Sequence, residues 1–276
     1  MDHDRDQPRP IAPPSPEILP FLSLLRDAWL LATGTLTAVR VPPPSRVDRS
    51  VAGLAMVIAP LAALPLGVAA ALVVLVADWI DLPPLATAYV VVVTLALGTR
   101  AFHWDGLADT ADGLTASYSP ERSLEVMRTG PVGPAGVVAV VLVAGLQAAG
   151  LTAILRHEDA WWAVGLLVCA SRACLAVACL RGVPAARTEG LGATHIGAVP
   201  VVGAAASLVM ATVAAAFAGH GLGSVSPMLV GMGAMLAVVV ALLLRCVRRL
   251  GGITGDVLGA AVEVSFAVLV LAAATV

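Results

Sequence analysis

Seven long apolar runs restrict this chain more than any other feature. They lie at roughly 51 to 77, 85 to 102, 135 to 155, 160 to 181, 199 to 219, 226 to 247 and 257 to 276, each near the ~20 residues a helix needs to cross a bilayer. In hydrocarbon every backbone N–H and C=O needs a partner within the protein, which leaves helices or a closed barrel. Unbroken runs of Ala, Val, Leu and Gly argue for helices. With 59% hydrophobic and 12% charged residues and a mean hydropathy of +0.94, a soluble domain is excluded as the reading. The expected fold is all-α, a polytopic integral membrane helical bundle of about seven transmembrane helices.

All sixteen basic residues are arginine, so their positions give a topology count. Arg5, Arg9, Arg26, Arg40, Arg46 and Arg49 precede the first span. Arg100, Arg122 and Arg128 follow the second, Arg181 and Arg187 the fourth, and Arg245, Arg248 and Arg249 the sixth. Only Arg156 falls on the opposite side, and Arg172 lies inside a span. Positive charge is retained in the cytoplasm, so the amino terminus is expected there and the carboxyl terminus outside.

Residues 1–17 lack a signal peptide's apolar stretch and read as a disordered tail. From 18 to 39, Leu22, Leu25, Trp29, Ala32 and Leu36 form a helical stripe interrupted by Arg26 and Asp27, which reads as an interfacial amphipathic helix. The prolines at 42–44 end it. Residues 18–276 then form a single transmembrane catalytic domain, without the internal repeat common in transporters. Cys169, Cys174, Cys179 and Cys246 sit in apolar spans without CxxC spacing and read as reduced packing residues. The absence of lysine excludes a Walker-type phosphate loop, and a net charge of −2 gives no reason to expect nucleic acid. The sequence leaves the oligomeric state open, a homo-oligomer included.

Polar motifs concentrate in the arginine-bearing connections. The segment His103-Trp104-Asp105-Gly106-Leu107-Ala108-Asp109-Thr110-Ala111-Asp112-Gly113 puts carboxylates at i, i+4 and i+7, along one helix face. Three aspartates facing one way repel unless a cation lies among them. Mg²⁺ suits them, since it takes carboxylate oxygens and shares its other positions with water and substrate phosphates. Thr188-Glu189-Gly190-Leu191-Gly192 and Arg248-Arg249-Leu250-Gly251-Gly252-Ile253-Thr254-Gly255-Asp256 fall on the same side. Asp256 opens the last span as an N-cap, and Glu263 lies seven residues on, about 10 Å deeper. Buried charges such as Glu263 and Arg172 cost roughly 2.5 to 3.5 kcal/mol on insertion scales, so each is expected to face the bundle and hold a partner.

Together, HxDGLADTADG, the following Glu125-Val126-Met127-Arg128 and GPxG, the Ser171-Arg172 pair, EGLG and the closing RxGGxTGDxLGAxxE resemble the cobalamin synthase family, the adenosylcobinamide-GDP ribazoletransferases. The match runs from about residue 30 to residue 270. The resemblance implies a transferase at the bacterial or archaeal cytoplasmic membrane, its active site facing the cytoplasm. Such an enzyme joins adenosylcobinamide-GDP to α-ribazole or its 5′-phosphate with Mg²⁺ and releases GMP. An alcohol oxygen attacks a pyrophosphate phosphorus there, so the protein has to neutralise charge and align two partners.

On that chemistry Asp105, Asp109 and Asp112 are the expected metal ligands. Gly106 and Gly113 would let phosphates approach the backbone, or are simply turns. His103 is either a general base on the attacking hydroxyl or a hydrogen-bonding group that orients Asp105. Arg100, Arg128 and Arg249 are candidate phosphate clamps, each equally readable as a topology-setting charge. Asp256 and Glu263 would add a second metal position or bind nucleotide or ribazole; the competing reading pairs Glu263 with Arg172. Glu189 is expected at either substrate. Two positions depart from the family pattern: Thr129 stands where an acidic residue is common, and Phe266 where many members carry a second glutamate. A membrane CDP-alcohol phosphotransferase and a cation-coupled transporter are the alternatives weighed.

Overall fold

The computed structural model describes residues 18–116, 119–129, 131–158, 160–187 and 189–276. The tail expected at residues 1–17 lies outside them, as does Thr188. The described residues form fourteen helices, and their only β pairing is two isolated bridges, Leu180 with Val199 and Ala185 with Ile253.

Helix α1 (Ile18–Leu36) carries exposed Phe21, Leu22, Leu25 and Trp29 on one side. Asp27 does not open the apolar stripe to solvent. It is buried and accepts the Ser45 N–H at 2.9 Å, tying the proline run back onto α1. Asp48 then caps α2 (Arg49–Val57), accepting the N–H groups of Ser50 and Val51.

The apolar run expected as the first span is three helices, α2, α3 (Ala59–Ala62) and α4 (Leu64–Trp79). The breaks fall just before Pro60 and Pro65, which lack an N–H to continue the ladder and sit comfortably in a first helical turn. Helix α5 (Pro84–Gly98) ends in a tight turn with Arg100 and Ala101 in the left-handed region, at φ 56° and 57°. Helix α6 (Phe102–Ala116) leaves it at 91°. Next come α7 (Pro120–Thr129), α8 (Pro134–Ile154), α9 (Ala160–Ser171) and α10 (Cys174–Ala178). They are followed by α11 (Leu191–His195), α12 (Val201–Leu222), α13 (Ser226–Leu250) and α14 (Gly255–Ala273).

By length and composition five helical segments can cross a membrane: α8, α9 with α10, α12, α13 and α14. A sixth appears only if α5 and α6 count as one broken span. The other expected crossing, α4, is apolar but has 16 residues, about 24 Å at 1.5 Å per residue. The chain is thus a multi-pass helical bundle. Helices α9, α10 and α14 form its interior, while α8, α12 and α13 turn large side chains such as Leu142, Phe217 and Val230 outward. A β carbon at Gly67 or Gly165 would lie within 2.8 Å of the other's carbonyl oxygen, so α4 and α9 meet backbone to backbone. Small residues permit such approaches where burial of apolar surface does not drive helices together. All four cysteines are buried free thiols.

Candidate functional site

The site forms where α6 packs alongside the first turns of α14. A β carbon at Gly106 would lie 2.6 Å from the Asp256 carbonyl oxygen, and one at Gly259 would lie 3.0 Å from the His103 Cα. Glycine on both helices lets the backbones touch, which draws Asp105 and Asp109 alongside Asp256. Gly113 does the same for α7, since a β carbon there would overlap the Met127 side chain. Both glycines expected to admit phosphate are buried in helix contacts instead. The close approach at each is to protein.

The three aspartates of α6 separate into two kinds. Asp112 is buried, and its carboxylate accepts the Gly133 N–H at 2.6 Å and the Gly136 N–H at 2.8 Å. These are among the free donors at the start of α8, where a carboxylate is favoured by the helix dipole as well. A β carbon at Gly133 or Gly136 would strike that carboxylate at 2.6 or 2.5 Å, so the glycines of this GPxG segment form its receptacle. Asp112 was expected as a metal ligand; its oxygens are engaged in fastening α6 to α8. Asp105 is exposed and Asp109 half-buried. Burial, then the charges of Asp105, Asp256 and Asp112, push Asp109 up to about 6, against the pull of Arg187.

Arg187 reaches this cluster because its segment is clamped to the loop before α14. The Ala186 N–H donates to the Ile253 carbonyl and the Ile253 N–H to the Pro184 carbonyl, each at 2.9 Å. Its guanidinium donates to the Leu124 carbonyl at 2.6 Å and acts electrostatically on both Asp109 and Asp256. Asp256 also accepts from the Thr254 hydroxyl at 3.1 Å. Arg187, exposed Glu189, Thr254 and Asp256 line one cavity of about 180 Å³. The other three arginines are placed differently. Arg100 donates to the Gly34 carbonyl at 2.9 Å, Arg249 approaches the Leu114 carbonyl at 3.5 Å, and Arg128 is exposed at the end of α7. Arg156 lies apart, lining a cavity with Asp78, Asp81 and Glu158 in the turns that join the far ends of α4 to α5 and α8 to α9.

Deeper along α14, Glu263 is buried and does not pair with Arg172. Its Oε2 accepts from the Gln147 amide at 2.8 Å, that amide also reaches the Glu263 carbonyl at 3.1 Å, and Oε1 lies 3.6 Å from His103 Nδ1. Arg172 instead donates to the Val168 carbonyl at 2.9 Å and the Ser171 hydroxyl at 2.7 Å. The competing expectation of a Glu263–Arg172 pair is therefore corrected: both side chains are buried, but rotation about each helix selects other neighbours. Gln147 and Arg187 belong to the site and were missed. A lone amide in the middle of an apolar span is the signal for Gln147. At the two departures from the family pattern, Thr129 donates to the Glu125 carbonyl on α7 and Phe266 fills the interior.

Among the described residues no three of His, Cys, Asp and Glu are arranged to hold a metal ion by themselves. Mg²⁺ characteristically takes one or two carboxylates and completes its shell with water and substrate phosphates. A cation would relieve the repulsion among Asp105, Asp109 and Asp256, whose carboxylates offer hard oxygen donors.

The chain as a whole is similar to proteins of one family. The family model described as cobalamin-5-phosphate synthase matches residues 28–274. An adenosylcobinamide-GDP ribazoletransferase of Nocardioides sp. is 50% identical over 249 residues, covering 90% of this chain and 98% of that protein. One of Frankia casuarinae is 35% identical over 256 residues, 86% of this chain and 90% of that one. One of Bradyrhizobium diazoefficiens is 37% identical over 220 residues, covering 78% and 80%. No solved structure matches the chain.

Proposed function

The chain belongs to the cobalamin-5-phosphate synthase family and is a transferase of cobalamin biosynthesis, and from that premise we propose that it joins adenosylcobinamide-GDP to α-ribazole or its 5′-phosphate, releasing GMP. The observation that carries the site assignment is the electrostatic crowding of Asp105, Asp109 and Asp256 near Arg187, with Arg187 and Asp256 lining one cavity. A hydroxyl oxygen of the ribazole forms a bond to the phosphorus on the cobinamide side. The bond from that phosphorus to the bridging oxygen breaks, GMP leaves with the bridging oxygen, and the hydroxyl proton passes to a base.

Two of the carboxylates of Asp105, Asp109 and Asp256 would hold Mg²⁺, with water and substrate phosphate completing its shell. Bound there, the ion would supply charge neutralisation at the pyrophosphate and its leaving group. Arg187 binds phosphate oxygens from the opposite side of the cavity. His103 takes the hydroxyl proton: Glu263 faces its Nδ1, which leaves Nε2 for the substrate, and Gln147 holds the Glu263 carboxylate in place. The protein lies in the cytoplasmic membrane with this end of the bundle facing the cytoplasm. The arginine asymmetry supports that orientation, since Arg100, Arg128, Arg187 and Arg249 share the end that bears the carboxylates.

Asp105→Asn and Asp109→Asn test the assignment. Both are expected to abolish Mg²⁺-dependent GMP release while the protein stays folded in the membrane; retention of release in both variants overturns it.

A further inference from the structure

A second cavity adjoins the one lined by Arg187 and Asp256, and the two share Phe102, Gly192 and Gly255 in their walls. Their chemistry differs sharply. The first carries charged and hydroxyl groups, whereas the second is walled by Leu36, Met56, Leu175 and Leu258, with His103, His195 and Thr35 as its polar side chains. Where they meet, the wall is glycine: a β carbon at Gly192 would lie 2.8 Å from the Gly255 nitrogen. An apolar cavity and a polar one thus adjoin through a glycine wall.

We propose that the apolar cavity beneath His103 is the subsite for the heteroaromatic base of the acceptor nucleoside, with its ribose lying across the glycine junction towards Asp256. The proposal rests on the ribazoletransferase reading and adds to it the location of one substrate. The base of α-ribazole is a bicyclic ring with two methyl groups and no amino or oxo groups, so aliphatic walls leave none of its edge unpaired. Guanine, the base of the other substrate, has donors and acceptors along its edge that these walls would strand. A corrinoid is far too large. The cavity is narrow, about 50 Å³ as it stands, and the base enters by displacing Leu258 and Phe102, both of which are partly exposed. His103 then borders both the base and the ribose, in reach of the hydroxyl whose proton it takes.

Thr35 lines this cavity from α1, away from the carboxylates, and so provides the test. Thr35→Leu is expected to raise the KM for α-ribazole about tenfold, the scale of a methylene or two in a tight apolar pocket, with the KM for adenosylcobinamide-GDP unchanged. Leu175→Ala is expected to act the other way, improving use of ribosides with bulkier bases relative to α-ribazole. Equal rises in both KM values, or no change in acceptor preference for either variant, overturns the subsite. Equilibrium dialysis of α-ribazole alone separates the two levels of the argument. Binding that Thr35→Leu weakens, in a wild-type protein that makes no coenzyme product, refutes the ribazoletransferase reading and leaves the cavity standing. Turnover by the wild type, with α-ribazole binding indifferent to both substitutions, refutes the cavity alone.

Discussion

Replacing Asp112 with asparagine separates a fastening role from a metal-binding one. The Asp112 carboxylate accepts two backbone N–H groups at the start of α8, from Gly133 at 2.6 Å and Gly136 at 2.8 Å. An asparagine keeps one acceptor oxygen and turns an NH₂ group towards the other donor, so one bond is lost and a buried N–H is left facing a second donor. Hydrogen bonds to charged groups contribute roughly 1.5 to 3 kcal/mol and an unsatisfied buried donor costs about 1 to 3 kcal/mol, so a loss of roughly 2 to 4 kcal/mol is expected. For a domain above 150 residues that corresponds to a Tm lower by roughly 5 to 15 °C. Thermal unfolding in detergent micelles, followed by circular dichroism with and without Mg²⁺, reads it. Residual turnover at low temperature is expected, because Asp105, Asp109 and Asp256 are intact. An unchanged Tm together with complete loss of Mg²⁺-dependent turnover would refute the fastening role and return Asp112 to the metal.

Asp109 gives a pH prediction with the opposite sense to an ordinary ion-paired carboxylate. Its pKa is raised from 3.8 to about 6 in the folded metal-free protein, so the protonated form is favoured there and stability falls as pH rises from about 4 through about 6. Tm measured in EDTA is expected to decrease between pH 5 and pH 7, and Asp109→Asn is expected to remove that dependence; identical pH profiles for both proteins contradict it. Mg²⁺ competes with the same proton, so its affinity, measured by calorimetry, is expected to weaken below about pH 6. Gly106→Ala places a methyl group 2.6 Å from the Asp256 carbonyl oxygen and forces α6 away from α14. Overpacking of this kind costs roughly 1 to 3 kcal/mol, and turnover is expected to fall further than Tm does because Asp105 and Asp109 move off Asp256. Wild-type turnover in this variant would refute the helix contact as the device that assembles the carboxylates.

Much of the architecture was legible because bilayer thickness and backbone hydrogen bonding leave few options for an apolar run. The exception is instructive. The hydropathy of 51–77 is continuous, yet Pro60 and Pro65 cut it into three helices, since a window average does not register the missing N–H that a proline introduces. At the site, the i, i+4, i+7 spacing correctly put three carboxylates on one helix. What it left open was which neighbours that helix would meet. The partner of Asp112 lies more than twenty residues on, and the only local sign of it is the pair of glycines at 133 and 136. Glu263 and Arg172 are both deep in the bundle, but membrane depth says nothing of rotation about the helix axis, and the closer partners of Glu263 are Gln147 and His103. Arg187 was read only as a topology charge, because nothing in its spacing announces the backbone bridge from Ala185 to Ile253 that brings it to Asp256.

The central claim is that this bundle couples two substrates at a carboxylate site that works with Mg²⁺. Purified protein reconstituted in lipid, supplied with adenosylcobinamide-GDP and α-ribazole, tests it by following GMP and the corrinoid product together, with Mg²⁺ and with EDTA. Equal amounts of both products, appearing only with Mg²⁺ and absent in Asp109→Asn, are the expected result. Folded wild-type protein that yields neither product, or yields both undiminished in EDTA, contradicts the account.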